Sequence, residues 1–209
     1  MTNLQCGMTR RQAQRTTGGL LAGVLAPTLL PASARAQGVA APSNKITLGC
    51  IGVGGMGSGN LGSFLGLDDC RVLAVCDVHR GKANGARDRV NRHYGDQGCT
   101  AYTDFRELLA RTDLDAVMIA TPDHWHGVVA VVAAKSGKDI YGEKPLAHSY
   151  MEGRAVADAV RRYGRIWQTG SWQRSTHNFA RACELVRNGR VGKVHTIEVG
   201  LPVDGAPGP

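Results

Sequence analysis

The segment Gly52-Val53-Gly54-Gly55-Met56-Gly57 constrains this chain more than any other, because of what flanks it. Before it, Ile46 to Val53 is a nearly continuous apolar run, the pattern of a strand buried on both faces. After it, Gly57 to Leu67 reads as a helix. In a chain with 28 glycines a G-x-G-x-x-G spacing by itself carries little weight. Between a buried strand and a helix it has a physical purpose. Gly52 permits a tight turn, Gly54 lets the backbone approach a pyrophosphate, and Gly57 allows close helix–strand packing. Gly55 and Met56 complete the loop, and the helix N-terminus supplies N–H donors and partial positive charge to an anion.

Downstream, strand-like and helical stretches alternate. Val72 to Val78 is strand-like and Gly81 to Tyr94 helical; a short strand falls near Thr100 to Tyr102. A helix from Asp104 to Arg111 takes Asp104 as its N-cap. Asp115 to Ala120, Asp139 to Tyr141 and Ile166 to Thr169 are strand-like, with helices at His126 to Ala134 and Tyr150 to Tyr163 between them. This alternation predicts an α/β, doubly wound, mostly parallel Rossmann sheet with helices on both faces, spanning residues 45–170. Residues 171–209 read as a linking helix, Ala180 to Asn188, and a terminal strand, Val194 to Leu201, running into Pro202 to Pro209.

Asp77 lies about twenty residues beyond Gly57, at the end of the second strand. A carboxylate there accepts hydrogen bonds from an adenosine ribose diol and repels a 2′-phosphate, which favours NAD. Arg80 keeps NADP open, since a guanidinium at that point can pair with a 2′-phosphate or stack on adenine. The competing reading of Asp77 is a cap within the turn.

The formal charge of +8 looks like a nucleic-acid signal until it is located. Arg10, Arg11, Arg15 and Arg35 lie in the first 36 residues, which hold no Asp or Glu; 21 basic and 17 acidic residues remain. No basic run with interleaved aromatics occurs among them, which argues against nucleic acid as a partner. Residues 1–36 have the layout of a signal peptide. A basic start at Thr9-Arg10-Arg11-Gln12 leads to a weakly apolar run, Gly18 to Ala26, and the small-residue site Ala34-Arg35-Ala36. The paired arginines resemble a twin-arginine (Tat) leader, although Ala13 stands where such leaders carry a large apolar residue. The expectation is export through the Tat machinery to the periplasm or beyond, without a stable membrane anchor, the apolar run being too short to span a bilayer. Residues 37–44 form a short linker. Of six cysteines, Cys6 lies in the leader, Cys50 and Cys76 fall inside apolar strands, and no C-x-x-C supports a zinc site.

Ligands of open parallel sheets bind beyond the carboxyl ends of the strands. Two such ends are chemically unusual: Thr121-Pro122-Asp123-His124-Trp125-His126 and Tyr141-Gly142-Glu143-Lys144-Pro145-Leu146. His124 and His126 are close in sequence, but among possible metal ligands only Asp123 accompanies them, so no metal is expected. Tyr141 to Lys144 is one residue too short for a Tyr-x-x-x-Lys dehydrogenase pair.

With the glycine turn, Asp77 and Gln168-Thr169-Gly170, these segments resemble the glucose–fructose oxidoreductase / inositol dehydrogenase family (Gfo/Idh/MocA), in particular its secreted Tat-type branch. The resemblance spans about Lys45 to Leu201, and Glu143-Lys144-Pro145 is its most specific element. It implies that Thr121 and Pro122 form the cofactor wall near the nicotinamide ribose, with His126 starting the next helix beside the cofactor. It further implies that Glu143 helps to hold the nicotinamide end. Lys144 would meet the substrate hydroxyl or carbonyl and exchange its proton as hydride moves. The alternatives are an exposed Glu143–Lys144 ion pair and surface or capping histidines. Members of that family carry a second α/β domain with substrate contacts and a further acid/base residue, so the chain reads as truncated after its N-terminal domain. The implied activity is hydride transfer between NAD(P) and a sugar, cyclitol or glycoside. An NAD-dependent glycoside hydrolase that oxidises its substrate transiently is the second reading, and a non-catalytic nucleotide-binding fragment the third. A homo-oligomer is an expectation for a full-length protein only.

Overall fold

A computed structural model describes residues 44–200. Six parallel strands form one sheet: β1 (Ile46–Ile51), β2 (Cys70–Cys76), β3 (Thr100–Tyr102), β4 (Ala116–Ile119), β5 (Asp139–Glu143) and β6 (Trp167–Gly170). Their order across the sheet is β3-β2-β1-β4-β5-β6. The chain winds outward from β1 in one direction, then returns to build the other half from β4. That reversal leaves a crevice between the carboxyl ends of β1 and β4.

Helices α1 (Gly55–Leu65), α2 (Arg80–Tyr94), α3 (Phe105–Leu109), α4 (Asp123–Lys135) and α5 (Tyr150–Arg162) make the crossovers. Successive strand residues point to opposite faces, so the sheet has two cores. Cys50, Val75 and Met118 pack with Leu61 and Leu65 of α1 and Val90 of α2. Ile51, Val117 and Ile119 pack on the other face with Leu108 of α3, Val129 and Ala133 of α4, and Val156 of α5. Both faces are covered, hence the continuous apolar runs read from the sequence.

The helix ends follow local chemistry. Asp104 caps α3 as the sequence predicts, its carboxylate accepting the Arg106 N–H at 2.8 Å. His79 caps α2, and Gly95 closes it in the left-handed region at φ 71°. Helix α1 starts at Gly55, two residues before the expected Gly57, and α4 starts at Asp123 rather than His126. The backbone of Pro122 sits at φ −57°, set by its ring, and so starts the helix sooner.

At the amino edge of the sheet, Lys138 is buried. Its ammonium donates to the carbonyls of Arg111 (2.6 Å) and Leu114 (2.9 Å), joining the start of β5 to the loop before β4. Burial holds this amine below its ordinary value, opposed by Asp113 and Asp115. Cys50, Cys70, Cys76 and Cys99 are buried free thiols, and burial raises Cys70 and Cys99 to about 11 and Cys76 to about 12. They behave as small apolar core residues rather than nucleophiles.

Beyond the sheet lie a 3-10 turn (Trp172–Ser175) and α6 (His177–Arg187). Helix α6 begins three residues before the expected Ala180 and buries no residue of its own. The strand expected from Val194 to Leu201 does not form over the described residues to Gly200. A lone extended segment has no ladder to join, and its alternating apolar residues stay exposed without a partner. The leader and the linker up to Ser43 lie outside the described residues. Among those described, no helix is long and apolar enough to cross a membrane.

Replacing Lys138 by Met keeps the stem volume and orphans two carbonyls. We expect a loss of about 1–3 kcal/mol of unfolding free energy in urea, with an unchanged m-value.

Candidate functional site

The carboxyl edge of the sheet holds a cleft of about 600 Å³ at the β1/β4 reversal. Its floor is apolar, from Ile51, Ala120 and Val129. Its rim carries the glycine turn, Asp77 and Thr121-Pro122.

Gly52 stands at φ +81°, and a side chain there would lie 2.5 Å from the Ala120 carbonyl oxygen. At Gly57 an added Cβ would sit 1.9 Å from the Gly52 carbonyl oxygen. Helix α1 therefore approaches the turn more closely than any side chain allows, and its N-terminal N–H groups face the cleft. Gly54, Gly55 and Met56 line the cleft, whereas Gly57 serves the packing behind it.

Asp77 follows β2. One carboxylate oxygen accepts the Val53 N–H at 3.1 Å and the other accepts the His79 N–H at 2.9 Å. The side chain thus braces the glycine turn and the turn before α2 while lining the cleft, and each oxygen keeps a further lone pair. The cap role and the binding position coincide in one residue.

Arg80 lies elsewhere. It borders a separate shallow depression with Asn84, Tyr102 and Glu107, because the first turn of α2 rotates it off the cleft. The cation beside the glycine turn is instead Lys82, which lines the cleft and whose ammonium stands 3.2 Å from the position of a Cβ on Gly54. Sequence reasoning missed Lys82. The two residues differ by two helical positions, about 200° of rotation, so only one of them can face the turn.

After β4, Thr121 and Pro122 form a wall of the cleft. The Thr121 hydroxyl oxygen is buried without a hydrogen-bond partner among the described residues. An orphaned polar atom in an otherwise satisfied interior marks a place for a ligand group. Trp125 and Phe105 meet edge to face at 6.3 Å on the same side, with the Arg106 guanidinium 4.5 Å over the Phe105 ring. These aromatic and cationic groups suit a flat heteroaromatic base.

His126 is buried behind this wall, in the first turn of α4, and does not line the cleft. One ring nitrogen meets the Thr121 carbonyl oxygen at 2.7 Å and the other meets the Pro145 carbonyl oxygen. It ties the end of β4 to the end of β5 instead of projecting toward a ligand. The earlier start of α4 is the reason, since it carries position 126 round to the inner face.

Glu143 is likewise buried rather than exposed at the rim, and the exposed ion pair weighed from the sequence does not form. Its carboxylate accepts from Asn60 at 2.8 Å and from the Lys144 N–H at 3.2 Å. Burial, helped by this carboxylate, pushes the Tyr141 phenol above its ordinary value. Lys144 is exposed just past β5, its side chain outside the cleft lining, and a cis peptide joins it to Pro145.

A parallel sheet in this order, with a glycine turn at its reversal, a capping carboxylate after β2 and an unpartnered hydroxyl opposite, defines a dinucleotide-binding domain. The model of the Gfo/Idh/MocA family, described as an oxidoreductase family with an NAD-binding Rossmann fold, matches residues 46–171. The chain belongs to this family, and NAD is its cofactor. A glycosyl hydrolase family 109 protein of Shewanella sp. (strain W3-18-1) is 30% identical over 171 residues, 73% of this chain and 37% of that protein. Myo-inositol 2-dehydrogenase of Thermotoga maritima is 26% identical, over 73% of this chain and 44% of that protein. The structure of scyllo-inositol dehydrogenase from Lactobacillus casei, with bound NAD(H) and scyllo-inositol, superposes with a TM-score of 0.62 at 21% identity. The match covers 71% of this chain and 42% of that one. The chain spans less than half the length of the relatives it matches.

The cleft fits the cofactor on its own features: the glycine cradle that a Cβ would fill, and the orphaned Thr121 hydroxyl. Lys82→Ala is expected to weaken NAD binding about three- to tenfold by calorimetry and to flatten its salt dependence. Arg80→Ala is expected to change the affinity less than about twofold, as for an exposed charge remote from the ligand.

Proposed function

We propose that this chain is the cofactor-binding part of an exported oxidoreductase acting on the hydroxyl or carbonyl of a sugar, cyclitol or glycoside, with Lys144 as its proton-carrying residue. The observation that carries the reading is the convergence of the glycine turn, Asp77, Thr121 and Lys144 on the carboxyl edge of one sheet. Bound NAD supplies the acceptor or donor of hydride. The protein's own part is orientation and proton handling.

The N-terminus of α1 and Lys82 hold the pyrophosphate. Asp77 accepts from the adenosine ribose diol with the lone pairs that the two backbone N–H groups leave free. Trp125 and Phe105 bound the adenine, and Thr121 gives its free hydroxyl to the nicotinamide half. Ile51, Val129 and Pro122 keep water from the ring side of the cleft. Lys144 lies past the end of β5, free of side-chain partners among the described residues, and its amine takes the substrate's hydroxyl proton or returns it. Glu143 and His126 act from behind: Glu143 holds the Lys144 N–H, and His126 holds the next carbonyl. Neither needs to touch the cofactor.

The paired arginines Arg10-Arg11 and the small-residue site Ala34-Arg35-Ala36 support export through the Tat pathway, which carries folded proteins. A cofactor available in the cytoplasm is then bound before translocation, and the buried, protonated thiols are consistent with folding in a reducing compartment. The sugar and cyclitol class rests on the relatives, among them a myo-inositol dehydrogenase and a scyllo-inositol dehydrogenase solved with its cyclitol. A second reading, hydrolysis through transient oxidation, is favoured by the family 109 glycosyl hydrolase relative at 30% identity.

Acid release of nucleotide from the purified chain, identified by mass, is expected to yield NAD; a chain that is empty and binds none by calorimetry overturns the reading. With a panel of inositols, hexoses and aryl glycosides, net NADH formation at 340 nm marks the oxidoreductase. Aglycone release without NADH marks the hydrolase. Lys144→Met is expected to lower either turnover by about 10²- to 10⁴-fold while NAD affinity stays within about threefold.

A further inference from the structure

We infer that Asn60 is a positioning residue for Lys144, acting through Glu143, and that it links the glycine-turn helix to the reactive loop. The inference rests on the reading of Lys144 as the proton carrier. Asn60 belongs to none of the motifs in the sequence. It lies within α1, the helix that begins at the glycine turn. Its side-chain amide crosses to β5 and donates to Glu143 Oε1 at 2.8 Å.

Glu143 is only 4% exposed. A carboxylate so deeply buried is costly unless both oxygens are satisfied, and the cost falls on its direction as well as its presence. Among the described residues two donors reach it: the Asn60 amide on one oxygen and the Lys144 N–H on the other. The space it occupies is reserved by Gly170 at the end of β6, where a Cβ would stand 2.7 Å from Oε1. With one oxygen fixed by Asn60, the other is aimed at the backbone of Lys144.

The far side of the same loop is held by His126 at the Pro145 carbonyl. Residues 143–145 are therefore gripped from α1 by Asn60 and from α4 by His126. Both helices also present cleft residues, Met56 on α1 and His124 with Trp125 on α4. Any shift of α1 on filling the cleft is passed to Lys144 by one hydrogen bond and one carboxylate.

The test compares Asn60→Asp, which keeps the shape but replaces the donor with an acceptor, Asn60→Ser, which removes the reach without adding charge, and Asn60→Gln, which restores a donor. Each is read in the full chain by residue-resolved amide hydrogen exchange, thermal unfolding and NAD calorimetry. In Asp and Ser variants the Lys144 amide is expected to exchange about tenfold faster, the scale of one lost charge-assisted hydrogen bond. Amides of β1 and β2 and the NAD dissociation constant are expected to hold, and Gln to recover most of the protection. Unchanged exchange at Lys144 in both Asp and Ser variants overturns the inference. So does acceleration shared equally by β1 and β2, since that marks general destabilisation. If the wild-type chain binds no NAD, the functional reading fails instead, and the exchange comparison still decides whether Asn60 holds Lys144.

Discussion

The close approach of Gly57 to the Gly52 carbonyl is the contact on which the rest of this molecule depends. With no side chain between them, α1 can begin against the end of β1, and its N-terminal amides come to face the cleft. A single methyl at Gly57 would drive the helix off the sheet. With the helix would go the apolar contacts of Leu61 and Leu65 with Cys50 and Val75, and also the reach of Asn60 to Glu143. A packing constraint, an anion site and a buried polar contact thus share one origin.

Around the cleft, polar side chains brace the protein, whether they line it, as Asp77 does, or stand behind it, as His126 and Glu143 do. Asp77 binds two turns together, His126 joins the ends of β4 and β5, and Glu143 joins α1 to the loop after β5. Buried groups of this kind make few choices of geometry available, because an unsatisfied donor or acceptor in the interior costs about as much as a hydrogen bond is worth. That rigidity suits a binding cleft: a framework set before the ligand arrives spares the cost of ordering it on binding. Among the buried side-chain polar atoms of the described residues, only the Thr121 hydroxyl oxygen is left without a partner, beside the wall of the cleft.

Much of the fold was legible because strand periodicity and turn chemistry act locally. The run Ile46 to Val53, the Asp104 cap and the glycine spacing each predict their element from neighbouring residues, and the observed elements differ mainly at their ends. The site was legible as a set of motifs but not as a set of roles. Glu143 and His126 looked like cofactor residues by resemblance, yet both are buried braces. Arg80 looked able to pair with a 2′-phosphate or stack on adenine, yet it borders a separate depression, and Lys82, which no motif singled out, lies by the glycine turn. Val194 to Leu201 has the alternation of a strand, but alternation supplies no partner.

The sequence alone determined the class of fold, because that follows from short-range rules, which residues tolerate a turn and which faces are apolar; its motifs carried the resemblance to the family. Only the tertiary structure decided which side chains face the cleft and which stand behind it. That choice depends on where a helix starts, to within one residue, and on contacts such as Asn60 to Glu143 that span more than eighty positions. A rotation of 100° per residue turns an uncertain helix start into an uncertain face, and no local pattern resolves it.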